Sequence, residues 1–318
     1  MLNDTAIPAD NSLANITTMD DGNKYISSYV IKNHGLDVFQ KIHATAIIVL
    51  PFIGFIVACA LIPVYGFSNL TFILFLVFYF MTMVLGITVG FHRMLAHRSF
   101  TTSNSIRALL TVFGCMAAQG SPVYWVSNHR RHHQFSDKPL DPHSPHYNQE
   151  KNLTHWQGFF HSHFGWMFNH DLTNSARYAK DILKDKTVMS VGRHYFFWVA
   201  LGILLPPAIA GAIEGTLSAA IMAFLWGSMA RLFLSFHATS SVNSICHLTG
   251  HQRYKTMDGS RNNAWLSIIT GGESWHNNHH AFPYSARFGL RWYQLDIGYL
   301  SIVLMESIGL VSNVKRVK

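Results

Sequence analysis

An all-α integral membrane fold, with four transmembrane helices in two hairpins and a cytoplasmic helical domain, follows from three observations. Apolar residues make up 49% of the 318 residues and charged residues only 13%, too greasy a mixture for an ordinary soluble domain. Four apolar stretches reach spanning length and fall into two close pairs. All lysines and arginines but one lie on a single side of those pairs.

The spans read as 44–66, 70–91, 195–213 and 216–236. The links within each hairpin, 67–69 and 214–215, carry no lysine or arginine. Three basic residues precede the first span, twelve lie in 92–194 and eight follow 236. The positive-inside rule therefore places both termini and the long middle segment in the cytoplasm. Residues 1–42 read as a polar N-terminal cytoplasmic tail, with no apolar run before a cleavage site and so no secretory leader. Residues 43–318 read as one membrane domain. Asn15-Ile16-Thr17 matches a glycosylation acceptor, which a cytoplasmic tail would not expose to the glycosylating enzyme.

Arg231 is the exceptional cation, inside the last two turns of the fourth span, where it either snorkels to the interface or pairs with polar groups in the bundle. The apolar run 106–118 is too short to span and contains Arg107, so it predicts an interfacial or re-entrant helix. Phe52, Phe55, Phe72, Phe75 and Phe78 recur on span faces, as lipid contact or bundle packing requires. The net charge of +8 comes from loops beside spans, which argues for a membrane surface and against a nucleic-acid partner. Cys59, Cys115 and Cys246 have no paired spacing, which argues against a disulfide scaffold and against thiolate metal ligation.

Histidine carries the chemistry instead. His92 and His97 stand in HRMLAH, His129, His132 and His133 in HRRHH, and His276, His279 and His280 in HNNHH. Chance supplies about 0.1 HxxHH patterns in a chain of this composition, and this one has two. Residues at i, i+3 and i+4 share a helical face, so two imidazoles of a triple box reach one metal and the third another. His92 and His97 lie about 140° apart on an ideal helix, so both reach one cluster only if the helix bends, ends or passes between two metals. Each hairpin is followed by a helix-end histidine and a triple box. This pseudo-repeat adds His247 as a ninth ligand.

The cytoplasmic domain is thus expected to hold a dinuclear metal site. Arg93, Arg130 and Asn277 stand where a zinc protease of the HExxH type needs glutamate, which excludes that hydrolysis. A nitrogen-rich dinuclear site with open positions suits iron that activates oxygen, and ligand type alone also admits copper. Asp137, Asp141 and Glu273 lie near the boxes, where they would accept the remaining imidazole N–H protons.

The runs GITVGFHR (86–93) to HRSF (97–100), HRRHHQFSD (129–137) with DPH (141–143), FGW (164–166), VNSICHLTGHQRY (242–254) and GESWHNNHHAFPYSARFGLRWYQLD (272–296) resemble the membrane fatty acyl desaturases of the stearoyl, delta-9 type. The bacterial branch is the nearest likeness. The resemblance implies a diiron centre and a bent tunnel for a saturated acyl chain carried on coenzyme A, a lipid or a carrier protein. It implies iron ligation by His92, His97, His129, His132, His133, His247, His276, His279 and His280, with Asn243 acting through a water. Trp125, Trp166 and Arg287 match positions along the acyl or head-group path. It further implies O2 as co-substrate, two electrons from a ferredoxin or a small b-type cytochrome, and residence in a bacterial inner membrane. Ser274 departs from the glycine of GEGWH, and the segment 143–159 is longer than in the animal enzymes.

The expected reaction places a cis double bond in a saturated chain, with iron and oxygen supplying the oxidant that an unactivated methylene requires. A diiron lipid or alkane hydroxylase is the alternative enzyme, since the same ligands suit oxygen insertion. A metal transporter is a third reading, and the absence of mid-membrane histidines counts against it.

Overall fold

The structure, a computed structural model, describes residues 28–317. The expected tail as far as residue 27, and with it Asn15-Ile16-Thr17, lies outside the described residues. Between 28 and 42 the chain is already part of the fold: Tyr29 is buried, Val30–Ile31 pairs antiparallel with Leu172–Thr173, and a helix starts at His34.

Helix α1 (His34–Tyr65) is joined by a short turn to α2 (Asn69–Ala96). Then come α3 (Asn104–Met116) and α4 (Pro122–Phe135), followed by short helical segments up to Arg193. Helices α5 (Tyr195–Glu214) and α6 (Leu217–Leu248) form the second hairpin. Helices α7 (His276–Ala281) and α8 (Ile297–Ser307) close the chain. Among the described residues, four helices are long and apolar enough to cross a membrane: α1, α2, α5 and α6.

Local chemistry sets their ends. The side chains of Asn33, Ser68, Ser103, Ser121 and Asp296 accept N–H bonds from Leu36, Thr71, Ile106, Tyr124 and Tyr299, satisfying the free donors at five helix starts. Gly66 and Gly215 end α1 and α5 at positive φ, 74° and 65°. The Ser68 hydroxyl donates to Glu214 at 3.0 Å, so the two hairpin turns lie side by side.

Three helices outrun the apolar stretches from which they were read, and α1 does so at its start, at His34 rather than 44. α2 continues past 91 to Ala96, and α6 continues past 236 to Leu248. Hydropathy marks where a span leaves the bilayer, not where its backbone stops coiling, so His92, Asn243 and His247 ride on the span helices themselves.

The run expected over 106–118 is α3, lodged between α2 and α5. A Cβ on Gly86 would lie 2.5 Å from the Phe113 backbone, and one on Gly202 would lie 3.0 Å from the Met116 Cβ. The helix is thus packed closely against both neighbours, with the Arg107 guanidinium reaching out to Asp185 at 2.9 Å.

Arg231 does not snorkel. It is fully buried and donates to Met116 O and Gly202 O, each at 2.8 Å. Pro206 and Pro207 inside α5 lack the N–H groups that would normally bond Gly202 O and Ile203 O. Arg231 serves the first carbonyl, and the Ser228 hydroxyl serves the second at 2.6 Å. At bilayer depth an unpaired carbonyl costs several kcal/mol. The buried cation is therefore a repair for a proline-broken helix.

Candidate metal centre

Winding brings the first pair of histidines together. From Phe80 to Ala96, α2 is a π-helix, with the His97 N–H bonded to His92 O at 3.1 Å. Hydrogen bonds from i to i+5 align residues five apart. His92 and His97 therefore share one face, their rings 4.9 Å apart, with no need of a kink. His97 also caps the helix, so the expectation of an end is met as well.

The nine histidines expected as ligands come together as two groups. One holds His92, His97, His129, His133 and His279, the other His132, His247, His276 and His280. Within each group the available ligand atoms lie within 4.8 Å of one another. Each triple box divides two and one, in opposite senses: α4 gives two rings to the first group, and α7 gives two to the second. The contacts are between Nε2 atoms, at 2.7 Å for His97 and His129, 3.1 Å for His92 and His279, and 2.9 Å for His247 and His276.

Carboxylates hold four rings from behind. Asp141 accepts from His132 Nδ1 at 2.9 Å, Asp137 from His247 Nδ1 at 2.9 Å, Asp258 from His280 Nδ1 at 2.6 Å, and Glu273 pairs with His92 Nδ1. With each Nδ1–H donated, Nε2 is a bare lone pair aimed inward. His132 and His280 then present two lone pairs to each other at 3.4 Å, an arrangement that a cation between them stabilises. Buried Nδ1 atoms of His276 and His279 have no partner. The donor set therefore fits two metal ions ligated by neutral imidazole.

Electrostatics favour the neutral form in six of the rings. Burial, with Arg130 and neighbouring imidazoles adding to it, pushes His97 down to about 3. His129, His132, His133, His276 and His279 are lowered in the same direction, chiefly by burial. Asp141 is raised by its burial. Burial would raise Asp258 too, but His280 and the Ser260 contact hold it well below the usual carboxylate range.

The residues between the histidines anchor the boxes. Arg130 donates to Leu95 O and Ala96 O at the end of α2 and to both oxygens of Asp181. Asn277 accepts from the N–H groups of Arg253 and Tyr254. Arg93, wholly buried, bonds Asp296 at 2.9 Å, lies 3.6 Å from Glu273 and stacks over Phe288. The Ser274 hydroxyl donates to Asn263 O at 2.8 Å, giving this departure from glycine a bond of its own.

A cavity of about 440 Å³ opens beside the first group. Trp125, Trp166, His129, His143, Phe236 and Asn243 help line it. Trp125 stacks on His129 at 5.0 Å. Arg287 is not among the lining residues. Its Nε donates to Gly289 O at 2.6 Å and its guanidinium lies over Tyr299, which ties it to the chain leading into α8. The long segment after His143 forms a small antiparallel pair, Tyr147–Asn148 with Lys151–Asn152. It borders a polar groove that meets the cavity at Ile31 and Leu172.

Sequence reasoning missed two residues. Asp258 stands 22 positions before His280, in a loop with no motif around it. His143 packs against the His132 ring at 4.3 Å and lies 3.9 Å from Asp141. Its signal was the Asp141-Pro142-His143 run, which reads as a loop on spacing alone.

The fatty acid desaturase family model matches residues 40–299. A hex-5-enoyl-[acyl-carrier protein] acetylenase of Moorena producens is 41% identical over 91% of this chain and 90% of its own length. An acyl-CoA 5-desaturase of Anemone leveillei is 40% identical over 82% of this chain and 77% of its own. An sn-1 stearoyl-lipid 9-desaturase of Anabaena variabilis is 38% identical over 76% and 82%. The histidine cluster and the four apolar helices found among the described residues agree with that match, and the chain belongs to the fatty acid desaturase family.

Proposed function

We propose that this fatty acyl desaturase places a cis double bond at the delta-9 position of a saturated acyl chain, using two irons held by the nine histidines. The observation that carries the reading is the convergence of Nε2 atoms into two adjoining groups, with Nδ1 atoms turned to carboxylates. Two irons, when bound, supply with O2 and two electrons the oxidant that an unactivated methylene requires. His92, His97, His129, His133 and His279 would hold one ion. His132, His247, His276 and His280 would hold the other, with Asn243, one turn before His247 on α6, assisting through a water.

The protein's own part is placement. Trp125 walls the cavity against His129, and Trp166 and Phe236 keep it apolar, so an acyl chain seated there is dry and close to the first group. The distance from a head group held at the cavity mouth to the metals would select the carbon pair. The relatives named above act at different positions and on carrier-protein, coenzyme A and lipid substrates, so chain placement rather than ligand chemistry sets the outcome. Electrons would arrive from a ferredoxin or a b-type cytochrome at the cytoplasmic face, where the basic loops favour an acidic carrier.

Expression in cells with a defined fatty acid pool, followed by double-bond mapping, tests this reading. Delta-9 monoenes are expected. His129→Ala and His279→Ala should each abolish product while the protein still inserts, and retained activity in either counts against it. A hydroxylated product points to the alternative enzyme.

A further inference from the structure

The two histidine groups are not equivalent in charge. In the four-histidine group, three imidazoles bond a carboxylate: His132 with Asp141, His247 with Asp137, and His280 with Asp258. In the five-histidine group only His92 does, with Glu273, and that carboxylate has Arg93 at 3.6 Å. Arg93 is itself shared with Asp296. No other pairing of these nine rings with an acidic side chain within 4.0 Å occurs among the described residues.

We propose that the four-histidine group is the tighter metal position and fills first, because Asp137, Asp141 and Asp258 brace it with negative charge, and that the five-histidine group fills second. A carboxylate that accepts Nδ1–H makes Nε2 more basic and adds a negative field at the metal. Losing such a partner costs ~10–100-fold in metal affinity. An excess of two carboxylates is therefore worth ~10²–10⁴-fold. The fifth imidazole of the other group is neutral and takes a place water would otherwise fill, a smaller gain than two charges in a dry interior.

The three carboxylates are held by more than their histidines. Gly259 N–H donates to Asp137 at 2.6 Å, the N–H groups of Asp137 and His143 donate to Asp141, and those of Ser260 and the Thr256 hydroxyl to Asp258. The charges are thus built into the backbone around the second group before any metal arrives. This inference rests on the dinuclear reading, and its test separates the two.

The full-length protein in detergent, stripped of metal, is titrated with Co2+ against a chromophoric chelator. Two Co2+ per chain are expected, with dissociation constants at least tenfold apart. His276→Ala should remove the tight class and His97→Ala the weak one. Asp258→Asn and Asp137→Asn keep an acceptor for Nδ1–H but remove the charge, and each should weaken the tight class by ~10–100-fold. Glu273→Gln should weaken only the weak class. The use of two aspartates keeps the result readable if one variant fails to fold. Equal affinities in the unaltered protein overturn the proposal, as does a loss of the tight class in His97→Ala or a common target for Asp258→Asn and Glu273→Gln. Binding of fewer than two Co2+ by the unaltered protein overturns the dinuclear reading itself.

Discussion

Arg231 joins three helices through carbonyls that have lost or never had their own donors. Gly202 O is orphaned by Pro206, and Met116 O lies in the last turn of α3. Replacing Arg231 with Met keeps volume and removes the donors, at a cost of about 1–3 kcal/mol for each carbonyl left unpaired. The thermal midpoint in detergent should fall. Adding Pro206→Ala restores an N–H for Gly202 O, so the Met substitution should cost less in that background. Equal losses in both backgrounds would show that Gly202 O is not the partner that matters. The sequence displayed both the arginine and the prolines; what it withheld was their meeting, because residues 25 apart on opposite arms of a hairpin carry no shared motif. The histidines were legible for the opposite reason: helical spacing alone commits them to a face. Acid should expose their neutrality. An unfolded histidine takes a proton below about 6.5, whereas His97 refuses it until about 3. Between those values the unfolded chain binds more protons, so stability rises with pH across the window, by about 1.4 kcal/mol per unit for each such ring, and is level above it. Bound metal deepens the same trend, since protons compete for Nε2. Metal retention and thermal midpoint should hold between pH 8 and 7 and fall together toward pH 5; a midpoint unchanged at pH 5 contradicts the assignment of neutral rings.

At the scale of elements, π-winding is the feature that spacing could not reveal. A five-residue interval is out of phase with an α-helix, and nothing in HRMLAH says that the backbone will widen to bring it into phase. Glycine is part of the reason the widened helix fits. α3 crosses α2 at Gly86 and Gly90, where a Cβ would meet the backbone of Phe113 at 2.5 Å and of Leu110 at 2.8 Å. Backbone cannot step aside as a side-chain tip can. Gly86→Ala should therefore push α3 from α2, costing about 1–3 kcal/mol and shifting His92, with loss of desaturation and of bound metal. Gly211→Ala is the matched control: its Cβ would meet only the Ala220 methyl at 3.4 Å, and helix propensity favours alanine by up to about 1 kcal/mol. It should be neutral or mildly stabilising. If both variants behave alike, the close crossing is not what seats the first pair of histidines.

For the whole molecule, hydropathy and length placed the two hairpin turns closely, because apolar span length is a direct demand of the bilayer, while the far ends of α1 and α6 run on well past the apolar stretches. The region between α4 and α5 was opaque, since its strands run two residues, most of its helices are short, and the one longer run, 155–169, changes from α to π winding and back, which blurs a periodic signal. Orientation joins both kinds of information. The hairpin turns sit together, bonded through Ser68 and Glu214, and the histidine groups lie at the other ends of α2 and α6. Twenty-three of the 24 basic residues lie outside the turns and the spans read from sequence, and by the positive-inside rule we propose that the histidine end faces the cytoplasm. Cysteine labelling in intact cells decides it. In a Cys59→Ser background, with Cys115 and Cys246 buried, Phe67→Cys should react with a membrane-impermeant thiol reagent from outside. Lys255→Cys, exposed beside the third box, should react only after the membrane is opened. The reverse pattern would put the histidines outside the cell, beyond reach of a ferredoxin or cytochrome in the cytoplasm, and the electron supply proposed here would have to be abandoned with the orientation.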